Sequence, residues 1–308
     1  MNLKVNLGKL KLKNPVLVAS GTFGYAKEFS SFLNLKELGG IVTKTITLKP
    51  RSGNKPPRLV ETPAGLLNSI GLQNEGLDYF MEKQLPEFKK IGIPIIVSLG
   101  AEEIEEYAIL VKKLEKISYI DAFELNISCP NVKDHNVQKP GLIAQDPQAT
   151  YEVVKLVRRL TKKPLITKLS PNVTDIVLMA QAAANAGTDI LSLVNTFFGM
   201  SVDIHTRKPK LANIVGGLSG PAIKPMALQM TWQLRQNLNL PIIAMGGIMN
   251  AEDALEFLIT GADAICVGTA NLINPKTSTQ IIKDLKEYLL NYKINQIKEI
   301  TSSLLKNS

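Results

Sequence analysis

Cysteine and histidine are scarce in this chain of 308 residues, which contains two of each. Cys129 and Cys266 lie far apart and no Cys-x-x-Cys pair occurs, so the sequence has too few ligands for a zinc site or an iron–sulfur cluster. Two cysteines are also too few for a disulfide scaffold. No apolar run approaches the ~20 residues that span a bilayer, and no signal peptide follows Met1. We therefore expect a cytoplasmic protein in a reducing compartment, with no membrane partner.

Aromatic residues are also few, at 6%, whereas hydrophobic residues reach 45%, so an aliphatic core is available. Lys and Arg total 36 against 27 Asp and Glu, which gives a net charge of +9. Because the lysines are scattered and often interleaved with glutamate, a solvated surface explains this charge better than a nucleic-acid site.

Apolar runs alternate with helical segments over most of the chain, which predicts an α/β fold, a (β/α)8 TIM barrel, over residues 1–308 as a single domain. Runs typical of buried parallel strands lie at Val16–Ala19, Gly40–Thr45, Ile93–Leu99, Ala122–Asn126, Leu165–Leu169, Ile190–Val194, Ile242–Met245 and Ala264–Val267. Helical spacing occurs at Glu102–Lys116, Pro147–Leu160, Thr174–Ala186, Ala222–Gln236, Ala251–Thr260 and Pro275–Leu290. A doubly wound open sheet is the alternative.

Capping residues and connections refine this prediction. Asn250 and Asn274 are predicted N-caps, and Gly187 and Gly261 are predicted helix terminators. Two segments lie outside the repeating pattern, a short hairpin at the N-terminus and a surface helix at the other end: Leu3–Leu12 and Lys293–Lys306. Two long, glycine-containing connections follow strands and are predicted to form a lid over the C-terminal face: Leu48–Gln73 and Thr196–Pro221.

Cys129 follows a predicted buried strand that ends at Asn126. Pro130 holds the cysteine in an extended turn at the carboxyl end of that strand. An acid–base or nucleophilic thiol beside an amide is one interpretation. A small buried hydrophobic residue is the other, and this segment alone leaves both open.

Polar residues at the ends of the predicted strands converge on one mouth of a barrel. Lys44 and Lys168 lie in apolar strands, and a buried lysine is costly unless it meets an anion. Two glycine-containing pairs follow the seventh and eighth strands, where barrels commonly bind phosphate: Gly246-Gly247 and Gly268-Thr269. Several asparagines share the mouth, and their amides suit a ligand with alternating donors and acceptors, such as a pyrimidine: Asn68, Asn74, Asn126 and Asn195.

With these residues the chain resembles the class 1 dihydroorotate dehydrogenases, and within them the NAD-dependent subclass, over nearly its whole length. The resemblance rests on motifs that occur in the family's order: Ala19–Gly24, Thr43–Thr45, Asn68–Asn74, Asn126–Asn131, Asn195–Thr196, Thr206–Pro209, Gly216–Pro225 and Gly246–Gly247.

The resemblance implies an FMN-containing barrel that oxidises dihydroorotate to orotate in pyrimidine biosynthesis, with Cys129 as the catalytic base. It implies that FMN is bound by Ser20, Lys44, Thr45, Ser98, Asn126, Lys168, Val194, Gly220, Gly246, Gly247, Gly268 and Thr269. It implies that substrate is bound by Lys44, Asn68, Ser69, Ile70, Gly71, Leu72, Asn126, Asn195 and Thr196.

The resemblance to this subclass also implies a second subunit. That partner would carry FAD and a [2Fe–2S] cluster and pass electrons to NAD, in a heterotetramer of two catalytic and two electron-transfer subunits. No Gly-x-Gly-x-x-Gly motif occurs in this chain, which agrees with an NAD site on the partner.

The sequence departs from the family's pattern at Ser98, where the family has an asparagine in the flavin site. The segment after Cys129 is also longer than expected and lacks a Gly-Gly pair. Three other functions stay open: a fumarate-dependent dihydroorotate dehydrogenase, an FMN-dependent tRNA dihydrouridine synthase, and a phosphate-binding barrel without flavin. The tRNA enzymes carry a further C-terminal helical domain, and too few residues follow Val267 for one.

Overall fold

The computed structural model describes residues 1–127 and 143–304 of the chain. The strands are β1 (Val5–Leu7), β2 (Leu10–Leu12), β3 (Val16–Val18), β4 (Gly40–Val42), β5 (Leu59–Thr62), β6 (Gly65–Asn68), β7 (Ile95–Leu99), β8 (Ala122–Asn126), β9 (Leu165–Lys168), β10 (Ile190–Leu193), β11 (Phe197–Met200), β12 (Val202–Asp203), β13 (Lys208–Pro209), β14 (Val215–Ser219), β15 (Ile242–Ala244) and β16 (Ala264–Val267).

The α-helices are α1 (Gly76–Tyr79), α2 (Leu85–Ile91), α3 (Ile104–Leu114), α4 (Pro147–Arg158), α5 (Ile176–Ala186), α6 (Lys224–Asn237), α7 (Ala251–Thr260), α8 (Ala270–Ile273) and α9 (Thr277–Asn291). A π-helical turn, Phe80–Gln84, joins α1 to α2. Short 3-10 turns occupy Lys27–Phe29, Leu35–Glu37, Ile143–Gln145, Pro221–Ile223 and Ile297–Glu299.

Eight parallel strands close into a barrel in the order β3, β4, β7, β8, β9, β10, β15 and β16, with β16 paired to β3. This order follows the chain, which confirms the predicted (β/α)8 barrel and excludes the open doubly wound sheet. The register pairs Asn126 with Lys168 across β8 and β9, so two predicted site residues end neighbouring strands. Every predicted barrel strand is present, and several end one to three residues earlier than predicted.

Local sequence explains where the helices begin and end. The Asp146 side chain accepts hydrogen bonds from two backbone N–H groups at the start of α4, and Pro147 occupies the first turn. The α5 helix begins at the capping side chain of Asp175 and ends at Gly187, which adopts the left-handed conformation at φ 99°. Asn250 caps α7 as predicted, through the N–H of Asp253.

Two predictions near the C-terminus are wrong. Asn274 ends α8 instead of capping α9, which begins at Thr277, because its side chain accepts from the N–H of Lys276 in a tight turn. The predicted surface helix Lys293–Lys306 is a short turn in its described part, residues 293–304. Ile297 in that turn is fully buried and its N–H donates to the carbonyl oxygen of Asn2, which ties this otherwise mostly exposed segment to the N-terminus.

The two long connections form an antiparallel sheet of four strands in the order β11-β14-β6-β5, which we call the lid sheet. The sequence predicted loops there. The N-terminal hairpin, β1 with β2, is confirmed. Within the described residues no helix is both long and apolar enough to cross a membrane, and no cluster of three or more His, Cys, Asp or Glu side chains could bind a metal ion.

Candidate active site

A cavity of about 370 Å³ opens at the carboxyl ends of the barrel strands, beneath the lid sheet. This volume lies within the range of about 300–1,000 Å³ that small-molecule and cofactor sites occupy. The predicted cofactor residues that line it are Ser20, Lys44, Thr45, Asn126, Lys168, Val194, Gly220, Gly246, Gly247, Gly268 and Thr269. The predicted substrate residues that line it, besides Lys44 and Asn126, are Asn68, Ile70, Gly71, Leu72, Asn195 and Thr196.

Four predicted site residues are not part of the cavity lining in the described structure. Asn74 is buried outside it, where its Oδ1 accepts from the N–H groups of Thr47 and Gly76. Ser69 is fully buried behind it, where its hydroxyl accepts from Asn54 at 3.3 Å. Ser98 is also fully buried, and its hydroxyl lies 3.0 Å from that of Thr45, which lines the cavity. Cys129, the predicted base, lies outside the described residues.

The cavity is positively charged. Lys44, Lys168 and Arg58 line it, and among the residues that the structure describes no Asp or Glu does. Lys168 is only 5% exposed at the end of β9, and a buried cation without an anion is costly. The positive charge of the cavity lining therefore suits a ligand that carries negative charge.

Lys44 lies in the connection after β4, with its ammonium 5.9 Å from the ring centre of Tyr25. Burial lowers the pKa of Lys44 below its ordinary value, and the positive charge of Arg58 lowers it further. The carboxylates of Glu28 and Glu75 oppose this shift. An anionic group bound beside Lys44 would restore the preference for the charged form.

Glycine is required where the cavity meets the loops after β15 and β14. Gly247 has φ 75°, and a Cβ there would lie 2.9 Å from the carbonyl oxygen of Gly220. Gly246 has φ 129°, and its Cβ would lie 2.9 Å from that of Ala227. Gly268, after β16, has no atom nearer than 3.7 Å to its Cβ position. Gly246 and Gly247 thus let the chain pack closely against the start of α6, and space remains for a ligand beside Gly268.

Hydroxyl and amide groups form a connected cluster on the opposite wall. Thr45 lies at its centre, with its hydroxyl 3.0 Å from that of Ser20 and 3.0 Å from that of Ser98. The Asn126 amide donates to Thr45 Oγ1 at 2.9 Å. The Tyr107 hydroxyl, from α3, donates to the carbonyl of Asn126 and holds the end of β8 in place.

The lid sheet contributes the upper wall. Asn68 Nδ2 donates to the carbonyl oxygen of Gly217 at 3.2 Å and so joins β6 to β14. Asn195 Nδ2 donates to Asn126 Oδ1 at 3.4 Å, while Asn195 Oδ1 accepts from the N–H of Thr196 at 2.8 Å. Asn126 and Asn195, predicted from separate motifs, are therefore hydrogen-bonded to each other, and Asn68 and Thr196 line the same cavity.

The polar lining residues that sequence reasoning missed include Arg58 and Ser219. Arg58 precedes β5 and donates to Gln73 Oε1 at 2.6 Å. Ser219 ends β14 and accepts from the Thr269 hydroxyl at 2.7 Å, which ties the lid sheet to the end of the eighth barrel strand. Neither residue follows a barrel strand, so the pattern of polar residues at strand ends does not identify them. Glycines on both sides of Ser219 do mark a close approach of the chain.

Fold and cavity together define a TIM barrel with a cation-lined cavity at the carboxyl ends of its strands. The sequence profile of the family described as dihydroorotate dehydrogenase matches residues 2–289. The chain belongs to the dihydroorotate dehydrogenase family.

Curated relatives similar to this chain carry the name "Dihydroorotate dehydrogenase B (NAD(+)), catalytic subunit". One from Geotalea daltonii is 52% identical over 303 residues, which cover 98% of each chain. Another from Desulforamulus reducens is 50% identical over 303 residues, again with 98% of each chain covered. A third, from Geobacter sulfurreducens, is 49% identical with the same coverage.

Proposed function

We propose that this chain oxidises dihydroorotate to orotate in pyrimidine biosynthesis, as the catalytic subunit of an NAD-linked enzyme with FMN as its own cofactor. The observation that carries the proposal is the cation-lined cavity, in which Lys44, Lys168 and the predicted amide residues converge at the mouth of the barrel. The family and the names of the relatives support the same reaction.

The residues present fit FMN. Open space beside Gly268 and the close backbone at Gly246 and Gly247 suit a phosphate bound by backbone N–H groups. Within the described part of the chain no hydrogen bond uses the N–H groups of Gly247, Gly268 or Thr269, so these donors are available. Lys168 would hold the cofactor's electron-rich edge, where a fixed cation stabilises added negative charge most strongly. When bound, FMN supplies the hydride acceptor.

Substrate would bind between the barrel and the lid sheet. Lys44 would pair with the carboxylate of dihydroorotate, and the amides of Asn68 and Asn195 would hold its ring. Thr196, with its N–H held by Asn195, would complete this face of the site. The lid sheet covers the cavity and so keeps water from the reacting atoms.

Cys129 would take the proton from C5 of the substrate. A free thiol has a pKa of about 8.5, so only a few per cent is thiolate near neutral pH, and the enzyme either lowers that pKa or works best at alkaline pH. Cys266 is not suited to this role. It is 1% exposed in β16, and burial, reinforced by the Glu124 carboxylate, raises the pKa of its thiol against the opposing charge of Lys168.

FMN binding through its phosphate gives a direct test of the site. Purified chain should be yellow and hold one FMN per barrel, whereas riboflavin, which lacks the phosphate, should bind at least about a hundredfold more weakly because charged hydrogen bonds are lost. Equilibrium titration followed by flavin fluorescence measures both affinities. A well-folded, colourless protein that takes up neither flavin would refute the proposed cofactor, and equal affinities would refute the phosphate site.

A further inference from the structure

Glu124 is a buried carboxylate that the proposed mechanism does not use. It lies on β8 with 2% of its surface exposed, and it is not part of the cavity lining. Its Oε1 accepts a hydrogen bond from the Ser98 hydroxyl at 3.1 Å, and its Oε2 accepts one from the Ser192 hydroxyl at 3.4 Å. Burying a carboxylate is costly, so its presence inside the barrel requires an explanation.

Glu124 Oε1 accepts the proton of the Ser98 hydroxyl, and this fixes the direction of the neighbouring hydrogen bonds. Ser98 has one hydroxyl proton and donates it to Glu124. In the contact of 3.0 Å between Ser98 and Thr45, the donor is therefore Thr45. With its own proton used, Thr45 can only accept from its other partners.

Two cavity-lining residues are then oriented by Thr45. In the contact of 3.0 Å between Ser20 and Thr45, Ser20 is the donor, so Ser20 Oγ presents only lone pairs to the cavity. Asn126 must turn its Nδ2 toward Thr45, as the structure has it at 2.9 Å. Its Oδ1 is thereby left to accept from Asn195.

We propose that Glu124 is a positioning residue that sets the donor and acceptor pattern of the cavity through the chain Ser98, Thr45, Ser20 and Asn126. In each of these hydrogen bonds, the donor lies farther along the network from Glu124 than the acceptor does. The cavity then offers an acceptor at Ser20, suited to an N–H or hydroxyl group of the bound cofactor. This inference rests on the proposed function, because it names FMN as the ligand.

Two serine variants separate this role from a general structural one. Ser98→Ala and Ser192→Ala each remove one buried hydroxyl that donates to Glu124, but only Ser98 lies between Glu124 and the cavity. Ser98→Ala should weaken FMN binding about threefold to tenfold, the worth of one misdirected hydrogen bond, and should shift the visible absorption band of the bound flavin. Ser192→Ala should leave FMN affinity within about twofold of the wild type and the band unmoved, for the same reason.

Glu124→Gln tests the direction of the hydrogen bonds between Glu124 and Ser20. The amide can donate to Ser98, which releases Ser98 to donate to Thr45 and frees the Thr45 proton to donate to Ser20. FMN affinity should fall as in Ser98→Ala, and in the Ser98→Ala background the same substitution should add less than about twofold because the path is already broken. The visible flavin spectrum and the melting temperature are recorded for each holoprotein.

The outcomes discriminate clearly. Equal losses of FMN affinity in Ser98→Ala and Ser192→Ala would overturn the inference, because the effect would then follow from Glu124 burial alone. A full effect of Glu124→Gln in the Ser98→Ala background would also overturn it, because the charge would then act directly. Should Glu124→Gln fail to fold, the serine pair decides alone. A wild-type chain that binds no FMN refutes the proposed function and, with it, this inference.

Discussion

Lys44 and Lys168 both face the cavity, yet their surroundings differ. Lys168 ends β9 and is almost fully buried, whereas Lys44 follows β4 and is half-buried near Arg58. The sequence allowed both to be identified because a lysine at the end of an apolar strand is unusual. It could not identify Arg58, since the position of that side chain depends on the fold of the connection that precedes β5.

The lowered pKa of Lys44 predicts how orotate binding depends on pH. In the ligand-free folded chain the charged form of Lys44 is disfavoured. Between the lowered pKa and 10.5 the unfolded chain therefore binds more protons than the folded chain. The free energy of unfolding accordingly rises with pH across that window. Anionic orotate needs the charged form, so its affinity should fall as pH rises through that same window, beginning below 10.5.

Lys44→Met should weaken orotate binding about tenfold or more at neutral pH. It should also abolish the fall in orotate affinity at alkaline pH that deprotonation of Lys44 causes. Flavin absorbance changes on orotate addition measure the affinity, in a Cys129→Ala background so that thiol ionisation does not contribute. Lys49→Met, an exposed lysine of the same connection, is the control and should behave like its parent. An unchanged affinity in Lys44→Met would rule out the assigned contact.

At the scale of elements, the barrel was predictable and the lid sheet was not. Barrel strands are buried on both faces and read as continuous apolar runs, as at Ala264–Val267. The lid strands are short, partly exposed and broken by glycines, as at Val215–Ser219, so their sequence resembles a loop. Helix α2 was also missed, because it follows a long connection and a π-helical turn in place of a strand.

The β14 strand requires glycine where it passes Thr196. A Cβ at Gly217 would lie 2.0 Å from Thr196 Oγ1 and 2.6 Å from its Cβ. Gly217→Ala should therefore displace Thr196 and reduce the rate of flavin reduction by dihydroorotate by about a hundredfold, since small misplacements in a site are costly. Stopped-flow absorbance measures this rate.

Gly199→Ala is the matched control in the same sheet. Its Cβ would meet the flexible end of Leu67 at 2.9 Å and no residue proposed to bind substrate. The rate of flavin reduction should change by less than about threefold, because a flexible side chain can move aside. Equal losses in the two variants would show that the lid sheet matters only as a whole and not through Thr196.

At the scale of the whole molecule, the proposed reaction needs a path for electrons from FMN to NAD. The described residues contain no metal-binding cluster, and the whole sequence has two cysteines and no Gly-x-Gly-x-x-Gly motif. The names of the relatives call them catalytic subunits, which supports a partner subunit, and we propose that this partner carries FAD and a [2Fe–2S] cluster. A net charge of +9 would favour docking of an acidic partner near the flavin.

Electron acceptors test this partner. With dihydroorotate as donor, the isolated chain should reduce ferricyanide or dyes but neither NAD nor fumarate, since its sequence has no Gly-x-Gly-x-x-Gly motif for NAD. Addition of the electron-transfer subunit should confer NAD reduction, and a reconstituted complex should contain two copies of each subunit. NADH formation followed by absorbance is the measurement. Rapid NAD reduction or fumarate turnover by the chain alone would remove the need for a partner.

We propose that this barrel itself takes hydride from dihydroorotate, with Cys129 as the base. Anaerobic addition of dihydroorotate to the purified yellow chain tests it directly, through bleaching of the flavin band and the amount of orotate formed. Wild type and Cys266→Ala should bleach and yield one orotate per flavin, whereas Cys129→Ala should stay yellow, bind orotate, and bleach about 10²–10⁴ times more slowly, as expected for loss of a general base. A wild-type flavin that dihydroorotate does not bleach, or rapid bleaching in Cys129→Ala, would contradict the account.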